Sequence, residues 1–126
     1  MPILHLNGYK ISAPTIYARK SERELSEMIR GFGYEPIIID GEDVEEFQSA
    51  LEKTDSIRYP FIIMKTEKGA TGPLSLNGQK IAGNYLSHQV PLKFAKSDPQ
   101  ELAMLEEWLL SYRFNELYDE KKGFIL

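Results

Sequence analysis

Residues 34–40, YEPIIID, form a nearly continuous apolar run of strand length with turn formers at both ends. Such a run fits a strand covered on both faces, the pattern of a parallel sheet. Parallel strands need long crossover connections, and the flanking sequence supplies them as helices. Upstream, SERELSEMIRGFG (21–33) opens with a capping box in which Ser21 accepts from the Glu24 backbone while Glu24 reaches back. Leu25, Met28, Ile29 and Phe32 then fall at helical spacing, and Gly31 and Gly33 supply the stop. Downstream, DGEDVEEFQSALEKT (40–54) repeats the theme, with Asp43 as cap, Glu46 three residues on, and Val44, Phe47 and Leu51 on one face.

Two more short apolar runs complete the unit: YPFIIMKT (59–66), and PILHL (2–6), which reads as a buried first strand. The order β-α-β-α-β predicts an α/β fold whose parallel sheet is joined by right-handed crossovers. From Glu67 to Lys96 the chain is rich in Gly, Pro and Asn and has no sustained helical period, as in functional loops. Within it, Asn77-Gly78 between alternating segments predicts a type I′ hairpin. A last helix begins at SDPQELAMLEEWLLSY (97–112), with Asp98 as cap, Pro99 at the first helical position and Glu101 closing another capping box. Leu102, Leu105, Leu109 and Tyr112 are its expected buried face, after which DEKKGFIL (119–126) trails off.

A chain of 126 residues fits a single domain over 1–126, and a composition 42% hydrophobic and 27% charged is too apolar for disorder. The net charge of −4 and the scattered Lys and Arg offer no basic stripe for a phosphate backbone, which argues against nucleic acid. Without cysteine there are no disulfides and no thiolate metal sites. No secretory leader pattern and no run of bilayer-spanning length is present, which points away from membranes and toward the cytoplasm.

In a parallel sheet ligands bind beyond the carboxyl ends of the strands. Three segments should meet there: Asn7-Gly8-Tyr9, Asp40-Gly41-Glu42-Asp43, and Thr66 to Lys68, with the irregular segment around His88 close enough to cover them. On residue type alone Asn7-Gly8 reads first as a turn. Asp40 resembles the ribose-binding acid of dinucleotide folds, but no glycine fingerprint precedes it, so DGEDVEE reads as a loop and helix cap. Lys68, in KGATGP, could meet a phosphate. His5 alternates with apolar neighbours and reads as a packed, hydrogen-bonded imidazole, whereas His88 sits in a loop beside Ser87 and Gln89, where no regular element requires it.

Taken together and in order, ILHLNGYKIS.PT, GYEP, TEKGATGP, NGQKIAG, SHQVPL and LEEWLLSYR...ELYDE, spanning about Pro2 to Tyr118, resemble the thiamine-diphosphate-dependent phosphoketolases. The resemblance implies the later part of their pyrophosphate-binding domain, a partial three-layer fold with a mostly parallel sheet. It implies Mg2+ held by the side chain of Asn7 and the backbone carbonyl of Tyr9. Thiamine diphosphate would lie beside Asn7, Gly8 and Lys68. His88 and Gln89 would face the reacting atoms, His88 also touching the cofactor, and Ser87 and Gln89 would contact substrate. The implied reaction splits xylulose 5-phosphate or fructose 6-phosphate with inorganic phosphate into acetyl phosphate and an aldose phosphate. The implied partners are the remaining phosphoketolase domains, in a homo-oligomer. The chain is expected to be inactive alone and to self-associate through uncovered apolar surface, and its connection between the second and third strands is shorter than the family's. The alternative is a non-catalytic α/β binding or assembly module derived from that family.

Overall fold

The computed structural model describes residues 1–53 and 57–125. Strands β1 (Ile3–Leu6), β2 (Glu35–Asp40) and β3 (Pro60–Lys65) form a parallel sheet in the order β1-β3-β2, with helix α1 (Glu22–Gly31) after β1 and α2 (Val44–Glu52) after β2. Ile3 pairs with Ile62 on one side of β3, and Ile37 pairs with Ile62 on the other. The last of the three apolar runs therefore takes the centre.

Alternation along β3 sends consecutive side chains to opposite faces. Ile63 packs with Leu25 and Ile29 of α1, flanked by Leu4, Leu6 and Ile38, while Ile62 packs with Ile39 and Ala50, flanked by Phe47 and Met64. Both β3 isoleucines are wholly excluded from solvent. The Ser21–Glu24 capping box of α1 is present in both directions, and the bonds from Ser21 hold the Glu24 carboxyl below the usual carboxylate range.

Several expectations need correcting. β1 is an alternating edge strand rather than a fully buried one, because among the described residues no helix covers the face that carries Ile3 and His5. Phe32, expected in the α1 stripe, is the C-cap residue and is exposed. In α2 the buried residue is Ala50, with Val44 and Leu51 exposed, because the helix turns Phe47 and Ala50 toward the sheet. Glu46 does not close a box with Asp43; its carboxylate accepts from the backbone N–H of Asp40 at 2.8 Å. Thr54, the end of the segment read as this helix, lies outside the described residues.

The second half of the chain carries the expected hairpin, β4 (Ser75–Leu76) with β5 (Gln79–Lys80), and both central residues Asn77 and Gly78 have the positive φ that a type I′ turn needs. Helix α3 (Pro99–Ser111) starts at Asp98, which caps Gln100 and Glu101. It presents a different face from the one expected. Of the expected residues Leu105 is half-buried, but Leu102, Leu109 and Tyr112 are exposed, while Glu101 is buried and Met104 and Trp108 are half-buried. Glu101 closes no capping box either: its carboxylate accepts from the N–H of Phe94 at 2.7 Å and ties the preceding loop to the helix. The C-terminal tail is a small hairpin, β6 (Tyr118–Asp119) with β7 (Gly123–Phe124), turned by Asp119 accepting from Lys121 and Lys122. Its Tyr118 and Phe124 rings meet edge to face.

Burial predicts a contrast between two leucines. Leu25→Ala should lower the free energy of unfolding in urea by about 2–5 kcal/mol, as for other buried large-to-small changes. Leu109→Ala, on the exposed side of α3, should change it by less than about 0.5 kcal/mol.

Candidate functional site

The three strand ends reach one edge of the sheet. After β1, Asn7 Oδ1 accepts from the Tyr9 N–H at 3.1 Å, Gly8 takes a positive φ, and the loop closes with Thr15 N–H donating to the Gly8 carbonyl. Asn7 is thus a turn former, as its residue type suggests. An amide oxygen has two lone pairs, however, and the turn uses one. After β2, Asp40 accepts from the N–H of Glu42 and Asp43 caps α2, which are the structural roles expected of that loop. After β3, the Thr66 hydroxyl is hydrogen-bonded to His5 Nε2 at 2.6 Å, and the Glu67 N–H donates to Glu42 at 3.1 Å. His5 is hydrogen-bonded as expected, yet exposed on the uncovered face of β1 rather than packed.

Between these ends lies a cleft of about 670 Å3, lined among others by Asn7, Gly8, Asp40, Glu42, Thr66 and Glu67. Its cations are Lys20 and Lys65, the latter paired with Glu22 at 2.5 Å, a contact that raises its pKa. Carboxylates outnumber ammonium groups along the lining, Glu46 being the fourth. A polyanion entering such a cleft needs a counter-cation, and a hard divalent ion binding through oxygens is the natural one. Among the described residues no group of three His, Asp or Glu is disposed to hold a metal, so an ion here would lean on the Asn7 amide oxygen, backbone carbonyls and the ligand's own oxygens.

The other candidates lie along the chain beyond Thr66. Lys68 is half-buried, and its carbonyl accepts from the Gly83 N–H at 2.8 Å. Ser87 and His88 belong to a 3-10 turn, Tyr85–His88, capped by Asn84, whose Oδ1 accepts from the Leu86 N–H at 2.7 Å. His88 and Gln89 are exposed. Gln89 lines a separate groove of about 590 Å3 with Asn77, Gln79, Lys93 and Glu101. Of the seven sequence candidates, Asn7 and Gly8 line the strand-edge cleft; Tyr9, Lys68, Ser87, His88 and Gln89 are not in its lining. Thr66 and Glu67 lie in a segment expected at this edge, but their individual roles, set by His5 and Glu42 far along the chain, were not read from residue type, and Asn84 was missed.

The comparisons with known proteins give the family. The model of the XFP N-terminal domain matches residues 1–57 and 48–125. The chain belongs to this phosphoketolase domain family. A probable phosphoketolase of Streptomyces avermitilis is 41% identical over 140 residues, covering 94% of this chain and 18% of the relative. Probable phosphoketolase 2 of Rhizobium meliloti is 43% identical over 141 residues, covering 95% and 18%. A probable phosphoketolase of Rhodopseudomonas palustris is 40% identical over 145 residues, covering 98% and 18%. The chain thus spans about a fifth of the length of these phosphoketolases. The aligned stretches are longer than the 126 residues here, so the relatives carry residues inside them that this chain lacks. The two family matches meet at residues 48–57, from the last turn of α2 to the approach to β3, where the shorter connection was expected.

Gly41, between two residues that line the cleft, shows how tightly its loop is held. Its N–H donates to the Lys65 carbonyl at 2.6 Å, and an added Cβ would lie 2.5 Å from side-chain atoms of both Met64 and Thr66. Gly41→Ala should therefore displace Thr66 and break its bond to His5. The checks are a lowered urea midpoint and a shifted His5 imidazole signal by NMR.

Proposed function

We propose that this chain is part of a phosphoketolase that cleaves xylulose 5-phosphate, fructose 6-phosphate or both with inorganic phosphate, yielding acetyl phosphate and an aldose phosphate, and that it does not turn over alone. The carrying observation is Asn7 at the carboxyl end of the edge strand β1, lining a carboxylate-rich cleft, in a chain that belongs to the phosphoketolase N-terminal domain family. The share of 18% of the relatives supports the second part, because the remaining domains would have to complete the site.

The residues present fit Mg2+ and thiamine diphosphate. Asn7 Oδ1, with its remaining lone pair, and the Tyr9 carbonyl would hold the metal; Gly8, Lys68 and His88 would hold the cofactor. When bound, the cofactor supplies the electron sink for breaking a carbon–carbon bond. The Lys68 ammonium offsets phosphate charge. His88, exposed and able to donate or accept at either ring nitrogen, would deliver a proton to a developing oxyanion or leaving hydroxyl. Gln89 would orient that group, and Ser87 and Gln89 would meet the sugar phosphate. The partners are the remaining phosphoketolase domains in a homo-oligomer, and the place of action is the cytoplasm; no helix among the described residues is long and apolar enough to cross a membrane. The exposed Leu102, Leu109 and Tyr112 on α3 also suit the alternative, a family-derived assembly module without catalysis.

Calorimetric titration separates the two readings. Thiamine diphosphate should bind this chain only with Mg2+ present, and Asn7→Ala should abolish the Mg2+-dependent part. Binding unchanged in Asn7→Ala would defeat the metal assignment. When the missing domains are supplied, acetyl phosphate should form with the native sequence and fall by at least about a hundredfold with His88→Ala; no acetyl phosphate from the native assembly would favour the assembly module.

A further inference from the structure

Three consecutive residues after Thr66 grip the segment that presents His88, each in a different way. The Glu67 carboxylate lies 3.7 Å from the Lys80 ammonium, and an added Cβ at Gly83 would meet that same carboxylate at 2.6 Å. The Lys68 carbonyl accepts from the Gly83 N–H at 2.8 Å. Gly69, at φ +76°, lies against Ser87 so closely that an added Cβ would sit 2.5 Å from Ser87 Cβ and 2.9 Å from its Oγ. Two glycines with positive φ thus face each other's segments where only glycine combines that backbone with that proximity.

The far side of the grip is organised by Asn84. Its Nδ2 donates to the Lys80 carbonyl at 2.8 Å, its Oδ1 accepts from the Leu86 N–H, and its own carbonyl accepts from Ser87 Oγ at 2.9 Å. One side chain and one carbonyl therefore join the β5 end to the turn that ends at His88. Glu67 also lines the Asn7 cleft, and its N–H donates to the Glu42 carboxylate. The same three residues, 67–69, touch the cleft at one end and the histidine turn at the other.

We infer that Gly69 and Asn84 are positioning residues, which fix the separation between Lys68 and His88 by clamping residues 67–69 to residues 80–87. The inference rests on the phosphoketolase reading for what Lys68 and His88 would hold, but the clamp itself is a property of this chain. An alanine at Gly69 has two penalties, a strained φ and a collision with Ser87, so it must push the histidine turn away. Asn84→Ala removes the cap and the tie to Lys80 together, whereas Asn84→Asp keeps the acceptor for Leu86 N–H and loses the donor to Lys80.

The test is a pair of NMR spectra on this chain, backbone amide and histidine imidazole, followed by titration with thiamine diphosphate and Mg2+. Gly69→Ala and Asn84→Ala should each shift the amides of both Lys68 and Ser87–Gln89 and the His88 imidazole, leaving Leu25 and Ile29 in place. Asn84→Asp should recover part of the shift. Gly31→Ala, where an added methyl meets nothing within 4 Å, is the control and should leave those signals alone. Cofactor affinity should drop about tenfold in Gly69→Ala. If either alanine variant leaves His88 at its native shifts, the clamp is overturned. Should Gly69→Ala fail to fold, the Asn84 pair decides. If the signals move as expected while even the native chain binds no cofactor, the clamp stands and the cofactor reading falls.

Discussion

Burial of β3 on both faces is the constraint from which the rest follows. Ile62 and Ile63 are adjacent in sequence and must point to opposite sides of the sheet, yet neither touches water. One layer of cover cannot satisfy both. Leu25 and Ile29 of α1 cover Ile63, and Ala50 with Phe47 of α2 covers Ile62. Two helices on opposite faces require two crossovers, crossovers require parallel strands, and parallel strands bring every carboxyl end to one edge. The cleft beside Asn7 is thus a by-product of how a pair of isoleucines is kept dry.

Local signals in the sequence were enough to place the individual elements. The Ser21 box, the Asp43 and Asp98 caps, the apolar runs and the Asn77-Gly78 turn are short-range features, and each determines its own element. The failures arise where a choice among faces depends on distant partners. Helix α3 has two plausible stripes, Leu102-Leu105-Leu109-Tyr112 and Glu101-Met104-Trp108, and the apolar count favours the first. In the second stripe Trp108 lies beside the loop at Gly72, whose added Cβ would touch it at 3.4 Å, and the exposed Tyr112 hydroxyl, bonded to Thr71 and to the Trp108 indole, ties the end of the helix to the same loop. A buried Glu101 then serves a backbone N–H no periodicity could point to. Likewise nothing in the composition of YPFIIMKT marks it as more central than YEPIIID; the order of the strands is set by which edges the helices can cover.

The site divides the same way. Asn7 and Gly8 were legible as a turn at a strand's carboxyl end, and their binding roles came from the family resemblance. Residue type also marked Lys68, among glycines, and His88, in a loop that no regular element requires; the family resemblance added the roles of both and of Gln89. What neither source supplied was the connection between these groups, since the contacts from Glu67, Lys68 and Gly69 to Gly83 and Ser87 join positions that look unrelated along the chain.

The strand order also bears on how the domain comes apart. Ile62 pairs with Ile37 on one side and with Ile3 on the other, so the second pairing closes a loop more than twice as long. Each doubling of a closed loop costs about 0.6 kcal/mol more in chain entropy. β1 is also the strand with one bare face. Docking of β1 is therefore the more expensive and less protected step, and amide hydrogens along β1 should exchange before those along β2. Asn7 hangs from the end of that strand, so the cleft is the first feature lost to partial unfolding, and any ligand spanning it would act as a staple across the weakest seam of the sheet.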